Sequence, residues 1–265
     1  MKNLMKHYKR LLAALALAVL CQLGASAQSV RGDWDYDGDM DMSDLTQLIN
    51  YVLNERWNDV PDVERDTFMV GKVPIVMVHV QGGSYSLGGG ITVTVNDFSI
   101  CETEVTKDLW WTVMHDTTYP YGATKRPVTF VAQDDSQAFI DALNGLTGAN
   151  FRFPRSTEWQ FAARGGNRSL GYSFAGGNIL ELVGWYKGNS TEAHDVAYLK
   201  PNELGLYDMS GNVSEWCVDA TNGSLVSLGG SWLDDAAACL IISPGTSLAG
   251  TLAAGAKQKG FRLAM

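Results

Sequence analysis

Apolar residues follow two rhythms along this chain. Alternation at a period of two, rich in β-branched residues, marks PIVMVHV (Pro74–Val80), ITVTVNDFSI (Ile91–Ile100) and the LGGSW block (Leu228–Trp232) as strands. A period near 3.6 predicts helices over Lys107–Met114 and Asp134–Leu146, where Ala138, Phe139, Ala142 and Leu143 share a face. A third helix is predicted over Ser156–Arg164, with Ser156 as N-cap and Glu158 placing negative charge against the positive end of the helix dipole. Earlier, LTQLINYVL (Leu45–Leu53) sets Leu45, Leu48, Ile49 and Val52 on one helical face. Beyond Thr67 these elements are short, mixed and joined by long loops rich in Gly, Trp and Tyr. Regular βα units, as in a Rossmann fold or a barrel, are thereby excluded for the stretch 68–265.

The first 27 residues stand apart from this pattern. Lys2, Lys6, Lys9 and Arg10 precede an apolar run, Leu11–Leu20, and a small-residue site at Ala25-Ser26-Ala27. The run is too short to span a bilayer, so it reads as a cleaved signal peptide, and the product is expected in the periplasm, at the cell surface or in the medium. Cleavage removes four basic residues and takes the net charge of −9 to near −13. Such a balance argues against nucleic acid as a partner. No second run approaches membrane length.

Between Asp33 and Asp44, DWDYDGDMDMSD places acids at loop positions 1, 3, 5, 7, 9 and 12 and Gly38 at position 6. Asp33, Asp35, Asp37, Asp39, Asp41 and Asp44 thus match EF-hand spacing for calcium: alternate residues turn oxygens to one hard cation, and glycine takes the sharp bend. A loop followed by one helix, 28–56 in all, resembles one repeat of a type I dockerin. A complete dockerin has two repeats, so a calcium-stabilised spacer ranks ahead of docking to a cohesin. From Asn54 to Asp66 the chain is charged, carries Pro61 and reads as a linker, with 57–67 as its assigned bounds.

Cys101, Cys217 and Cys239 remain after processing. An odd number in an oxidising compartment suggests one disulfide and one free thiol, while three buried reduced thiols is the other reading. Arg152, Glu158, Arg164 and Arg262 fall inside apolar blocks, where charge has to be paired, and internal ion pairs are predicted for them.

Six blocks occur in a family's order: GGSYSLGG (Gly82–Gly89), CETEVTKDLWWTVM (Cys101–Met114), RPVTFV (Arg126–Val131), FRFPRSTEWQFAARGG (Phe151–Gly166), GLYDMSGNVSEWCVD (Gly205–Asp219) with LGGSW, and GFRL (Gly260–Leu263). Together they resemble the formylglycine-generating enzyme, or sulfatase-modifying factor, family. The resemblance implies its C-type-lectin-like α+β fold, in which Trp110, Trp159, Trp216 and Trp232 are core residues. Cys217 and Cys239, both in the C-terminal half, become the first disulfide pair to test. It also implies a calcium site in which Asp208 and Glu215 give carboxylates and Gly211 and Val213 give backbone carbonyls, an all-oxygen set suited to that ion.

Active enzymes of this family carry two cysteines, separated by four residues, shortly after the GGS motif. They bind copper(I), a soft ion suited to thiolates, and activate oxygen there. Here Asp234 occupies the first position and only Cys239 matches the second. His79, His115 and His194 show no spacing for an iron site either. The reading is therefore a secreted, calcium-binding, non-catalytic domain that binds a glycan, peptide or protein. The alternative is a copper-dependent formylglycine-generating oxidase using Cys239, and a third reading is a calcium-rigidified structural surface protein.

The stretch from Leu233 to Ala256 contains no Lys, Arg, Glu, Gln, Met or aromatic residue. In related lectin-like proteins diversified by retroelements, this stretch before GFR is the variable ligand surface. Mutation of an Asn codon at its adenines reaches every residue type in the window.

Overall fold

The computed structural model describes residues 61–115, 125–241 and 258–265, all within the unit running from Pro61 to Met265. The signal peptide, the acidic loop from Asp33 to Asp44 and the helix at Leu45–Leu53 lie outside the described residues. Strand β1 (Arg65–Val70) pairs antiparallel with β2 (Val73–Val80), Arg65 opposite Val78 and Val70 opposite Val73. Part of the expected linker is thus the first strand of the domain. Its polar first half, Arg65 to Thr67, hid it from the alternation rule.

Strand β3 (Gly83–Gly88) forms a separate hairpin with β4 (Ile91–Val95), while β5 (Phe98–Cys101) joins the other edge of β2. The run Ile91–Ile100, expected as one strand, therefore serves two sheets. The break falls at Asn96-Asp97, where Asp97 Oδ1 accepts the Gly82 N–H at 2.8 Å. β-branched content on both sides of a turn reads as continuous when the partner strands are unknown.

Helix α1 (Lys107–Met114) is capped by Thr106, whose Oγ1 accepts the Leu109 N–H. Helix α2 (Gln133–Thr147) ends at Gly148 and packs Phe139 flat on Trp110, ring centroids 5.1 Å apart. Helix α3 (Ser156–Ala163) has Arg155 at its N-cap position, one residue before the expected cap. Glu158 reaches back to the Arg155 N–H at 2.8 Å, and Ser156 Oγ accepts the Ala220 N–H instead. A short α4 (Leu180–Val183) follows.

Strand β6 (Ser214–Val218) lies between antiparallel β7 (Leu225–Leu228) and parallel β8 (Lys259–Gly260). The LGGSW block leaves the strand after Leu228. Gly229 and Gly230 take φ of 93° and 69°, and a Cβ on Gly230 would sit 2.7 Å from Cys239 Sγ. Only glycine fits there.

Strands β2 and β6 separate two apolar clusters. Ile75, Met77 and Trp216 point into one with Trp110, Phe139 and Phe261. Val78, Val80 and Cys217 point into the other with Trp159, Phe161 and Leu206. Trp110, Trp159 and Trp216 are core as expected, but Trp232 is only half-buried because the turn at Gly229–Gly230 carries it out of the sheet. Phe261–Ala264 closes the fold: Phe261 O accepts the Val105 N–H, Leu263 O that of Cys101 and Ala264 O that of Arg152, each at 2.8 Å. The result is a mixed fold of short strands and few helices. Among the described residues no helix is long and apolar enough to cross a membrane.

Candidate functional site

At the junction of the two clusters sits Arg262, fully buried with Glu215. Its Nε and Nη2 hold the two Glu215 oxygens at 2.7 and 2.8 Å, Nη1 donates to the carbonyls of Cys101 and Glu102, and Nη2 also reaches that of Tyr207. Trp159 Nε1 donates to Glu215 Oε2 at 2.8 Å. Every donor of this buried cation points at an oxygen, which is what lets it stay charged without water.

Glu104, also buried, accepts Asn212 Nδ2 at 2.7 Å and the Val213 N–H at 3.0 Å. Burial raises its pKa well above the usual carboxylate range, and the nearby Asp208 and Glu215 add to the rise. Asp208 accepts the Ala197 N–H at 2.8 Å and is pushed up to about 6, chiefly by burial. Asp208 and Asn212 both hold positive φ, 59° and 55°, around Gly211 at 90°. A Cβ on Gly211 would meet the Trp185 carbonyl oxygen at 2.2 Å, so the DMSGN turn closes only with glycine there.

Three buried carboxylates, Glu104, Asp208 and Glu215, thus surround one buried guanidinium. Asp208 and Glu215 were legible from their motif. Glu104 was not singled out: it lies in the polar run Glu102-Thr103-Glu104, without the two apolar flanks that mark Arg262. Surplus buried negative charge calls for protons or a cation. The oxygen donors at Asp208, Gly211, Val213 and Glu215 are chemically suited to calcium, and Glu215 Oε1 accepts only one hydrogen bond, leaving a lone pair. Among the described residues no group of three or more His, Cys, Asp or Glu side chains is spaced to hold a metal, so backbone carbonyls would have to complete such a site.

The predicted ion pairs form between Arg262 and Glu215 and between Arg152 and Glu158, the latter through 2.7 and 2.9 Å contacts. Arg164 differs: its guanidinium lies over the Tyr85 ring, 5.3 Å from the centroid.

Cys239 closes a 3₁₀ turn (Ala236–Cys239) and is buried against Leu180 and Val183, 1% exposed. Burial and then the Asp234 carboxylate push its thiol up to about 12. Asp234 accepts the Ser231 hydroxyl. One protonated thiol beside a carboxylate does not fit copper(I), which requires soft thiolates. Cys101, Cys217 and Cys239 are all free and each lies in a different apolar cluster. The expected Cys217–Cys239 disulfide is therefore absent, and the reading of three buried thiols holds.

Next to Asp234 the surface is aromatic. The Lys187 N–H donates to the Asp234 carbonyl, and Trp185 stacks on His194 with centroids 3.7 Å apart. Tyr198, 62% exposed, stands 6.0 Å from Trp185. These aromatics, unlike the core tryptophans, lay outside the motif blocks and were missed.

The family profile described as "Sulfatase-modifying factor enzyme 1-like domain" matches residues 67–265, and the chain belongs to that family. It is similar to the chaperone protein LppX of Paenibacillus barcinonensis, at 28% identity over 64% of this chain and 82% of that one. Similarity to the formylglycine-generating enzyme of Thermomonospora curvata is 34% over 35% of this chain and 33% of the enzyme. Among solved structures, Treponema denticola variable protein 1 superposes with a TM-score of 0.62 at 27% identity, covering 76% of this chain and 98% of that one.

Proposed function

We propose that the domain is a catalytically silent member of its family that binds a ligand or partner. The observation that carries this reading is the lone, buried Cys239 thiol facing Asp234 where the enzymes need a second cysteine. Its test is a copper-loaded turnover assay, with mass spectrometry following conversion of cysteine to formylglycine in a sulfatase-type peptide. No conversion is expected. Conversion that disappears in Cys239→Ser would establish an oxidase instead. Because burial raises the thiol, its native-state alkylation at pH 8 should lag that of the denatured chain by at least about a hundredfold. Above the ordinary thiol value of 9.0 the folded state keeps a proton that the unfolded state loses, so stability should fall as pH rises towards 12.

The ligand face in this reading is the stretch from Leu233 to Ala256, whose described residue Asp234 lies near the half-buried Trp185 and the exposed Tyr198. Residues 242–256 lie outside the described residues. Similarity to a protein named as variable supports diversification there. Clonal isolates should then differ between Leu233 and Ala256 and match elsewhere, and identical tails would count against it.

Calcium at Asp208, Gly211, Val213 and Glu215 would neutralise the surplus buried carboxylate and hold the DMSGN turn. A second ion would sit in the Asp33–Asp44 loop. Titration calorimetry should find both events in the whole chain and only one in Asp37→Ala. Secretion is part of the same reading and is checked by the N-terminus of the exported product, expected just after Ala27.

A further inference from the structure

On the side of the fold formed by α2 and the Phe151–Arg155 segment lies an open cleft of about 220 Å³. Its floor is apolar, formed by Ile140, Phe151, Phe153 and the end of β6 at Val218. Neither Cys239 nor the DMSGN turn lines it. At one rim Asn144 is committed to Phe151, donating to its carbonyl and accepting its N–H. Arg152 is committed as well, with Nη1 and Nη2 shared between Glu158 and the carbonyls of Phe153 and Met265. Neither has its main hydrogen-bonding groups to spare for a ligand.

Arg155 is different. It also lines the cleft and is exposed, and its guanidinium makes no hydrogen bond or ion pair among the described residues. Arg152, three residues earlier, is neutralised by Glu158, so the unbalanced cation at the cleft is Arg155. Asp141 lines the cleft too, holding the Gln137 amide at 2.8 Å. The lining therefore has an apolar base, one uncommitted five-donor fork and one carboxylate that repels an anion.

We propose that this cleft binds an apolar carboxylate: a Leu- or Phe-sized hydrophobic group seated on Ile140, Phe151, Phe153 and Val218, with its carboxylate held by Arg155 and turned from Asp141. A volume near 220 Å³ accommodates one such group and little more. The carboxylate can belong to a free acid or to the C-terminal residue of a peptide.

The test is calorimetric titration of the whole protein with N-acetyl-leucine, N-acetyl-leucinamide, 4-methylpentanoate and acetate. N-acetyl-leucine should bind, the amide at least tenfold more weakly, and acetate not at all. Arg155→Gln should weaken N-acetyl-leucine at least tenfold with an unchanged melting temperature. Asp141→Asn should tighten it about twofold to threefold by removing a like charge. Preference for N-acetyl-leucine over 4-methylpentanoate assigns the site to peptide termini, and the reverse assigns it to free acids. No binding at 20 mM, equal binding of acid and amide, or indifference to Arg155→Gln would overturn the proposal.

Discussion

Two bidentate arginine–glutamate pairs with nearly the same contact distances occupy opposite situations in this fold. Arg262–Glu215 has both side chains at 0% exposure, while Arg152–Glu158 has them at 38% and 10%. The first is isolated from water and is stable only because three carbonyls take the remaining Arg262 donors and Trp159 donates to Glu215. The second leans on solvent and on the end of α3. Contact distance alone therefore says little about what a pair contributes; burial and the partners around it decide.

Arg262→Ala should break this comparison most sharply. It strands Glu215 in the core, and a loss of about 3–5 kcal/mol is expected in urea unfolding. Replacing both partners together, Arg262→Met with Glu215→Leu, should recover part of that loss, because no buried charge is left behind. Trp159→Phe keeps an aromatic ring but removes the donor to Glu215 and part of the buried indole, and about 1–3 kcal/mol should be lost. Arg152→Ala should cost about 1 kcal/mol or less, with the difference shrinking in high salt. Arg126–Glu192 is bidentate as well, at 2.6 and 2.9 Å, but both side chains are well exposed. Arg126→Ala should leave the melting temperature unchanged.

The deep pair was partly legible in the sequence and its surroundings were not. Arg262 sits between Phe261 and Leu263, so burial, and hence pairing, followed from local pattern. That its partner is Glu215, with Glu104 beside it, depends on a threading of Phe261–Ala264 against β5 that no local signal encodes. The same limit explains the single strand expected over Ile91–Ile100: alternation is local, and sheet membership is not. Ser156 as N-cap failed for a smaller reason, since Glu158 could serve the same helix end from inside. Cysteine counting failed because parity says nothing of distance, and the three thiols face three separate apolar clusters.

The Phe261–Ala264 segment also bears on how fast the domain can form. Its hydrogen bonds span long stretches of sequence, 161 residues between Arg262 and Cys101 among them. Contacts that distant close large loops before they contribute any stability, which places the chain among slow folders. Until Arg262 has been synthesised, Glu215 has no counter-charge, so a nascent chain would hold most of its sheets and helices yet lack the side chain that locks them together.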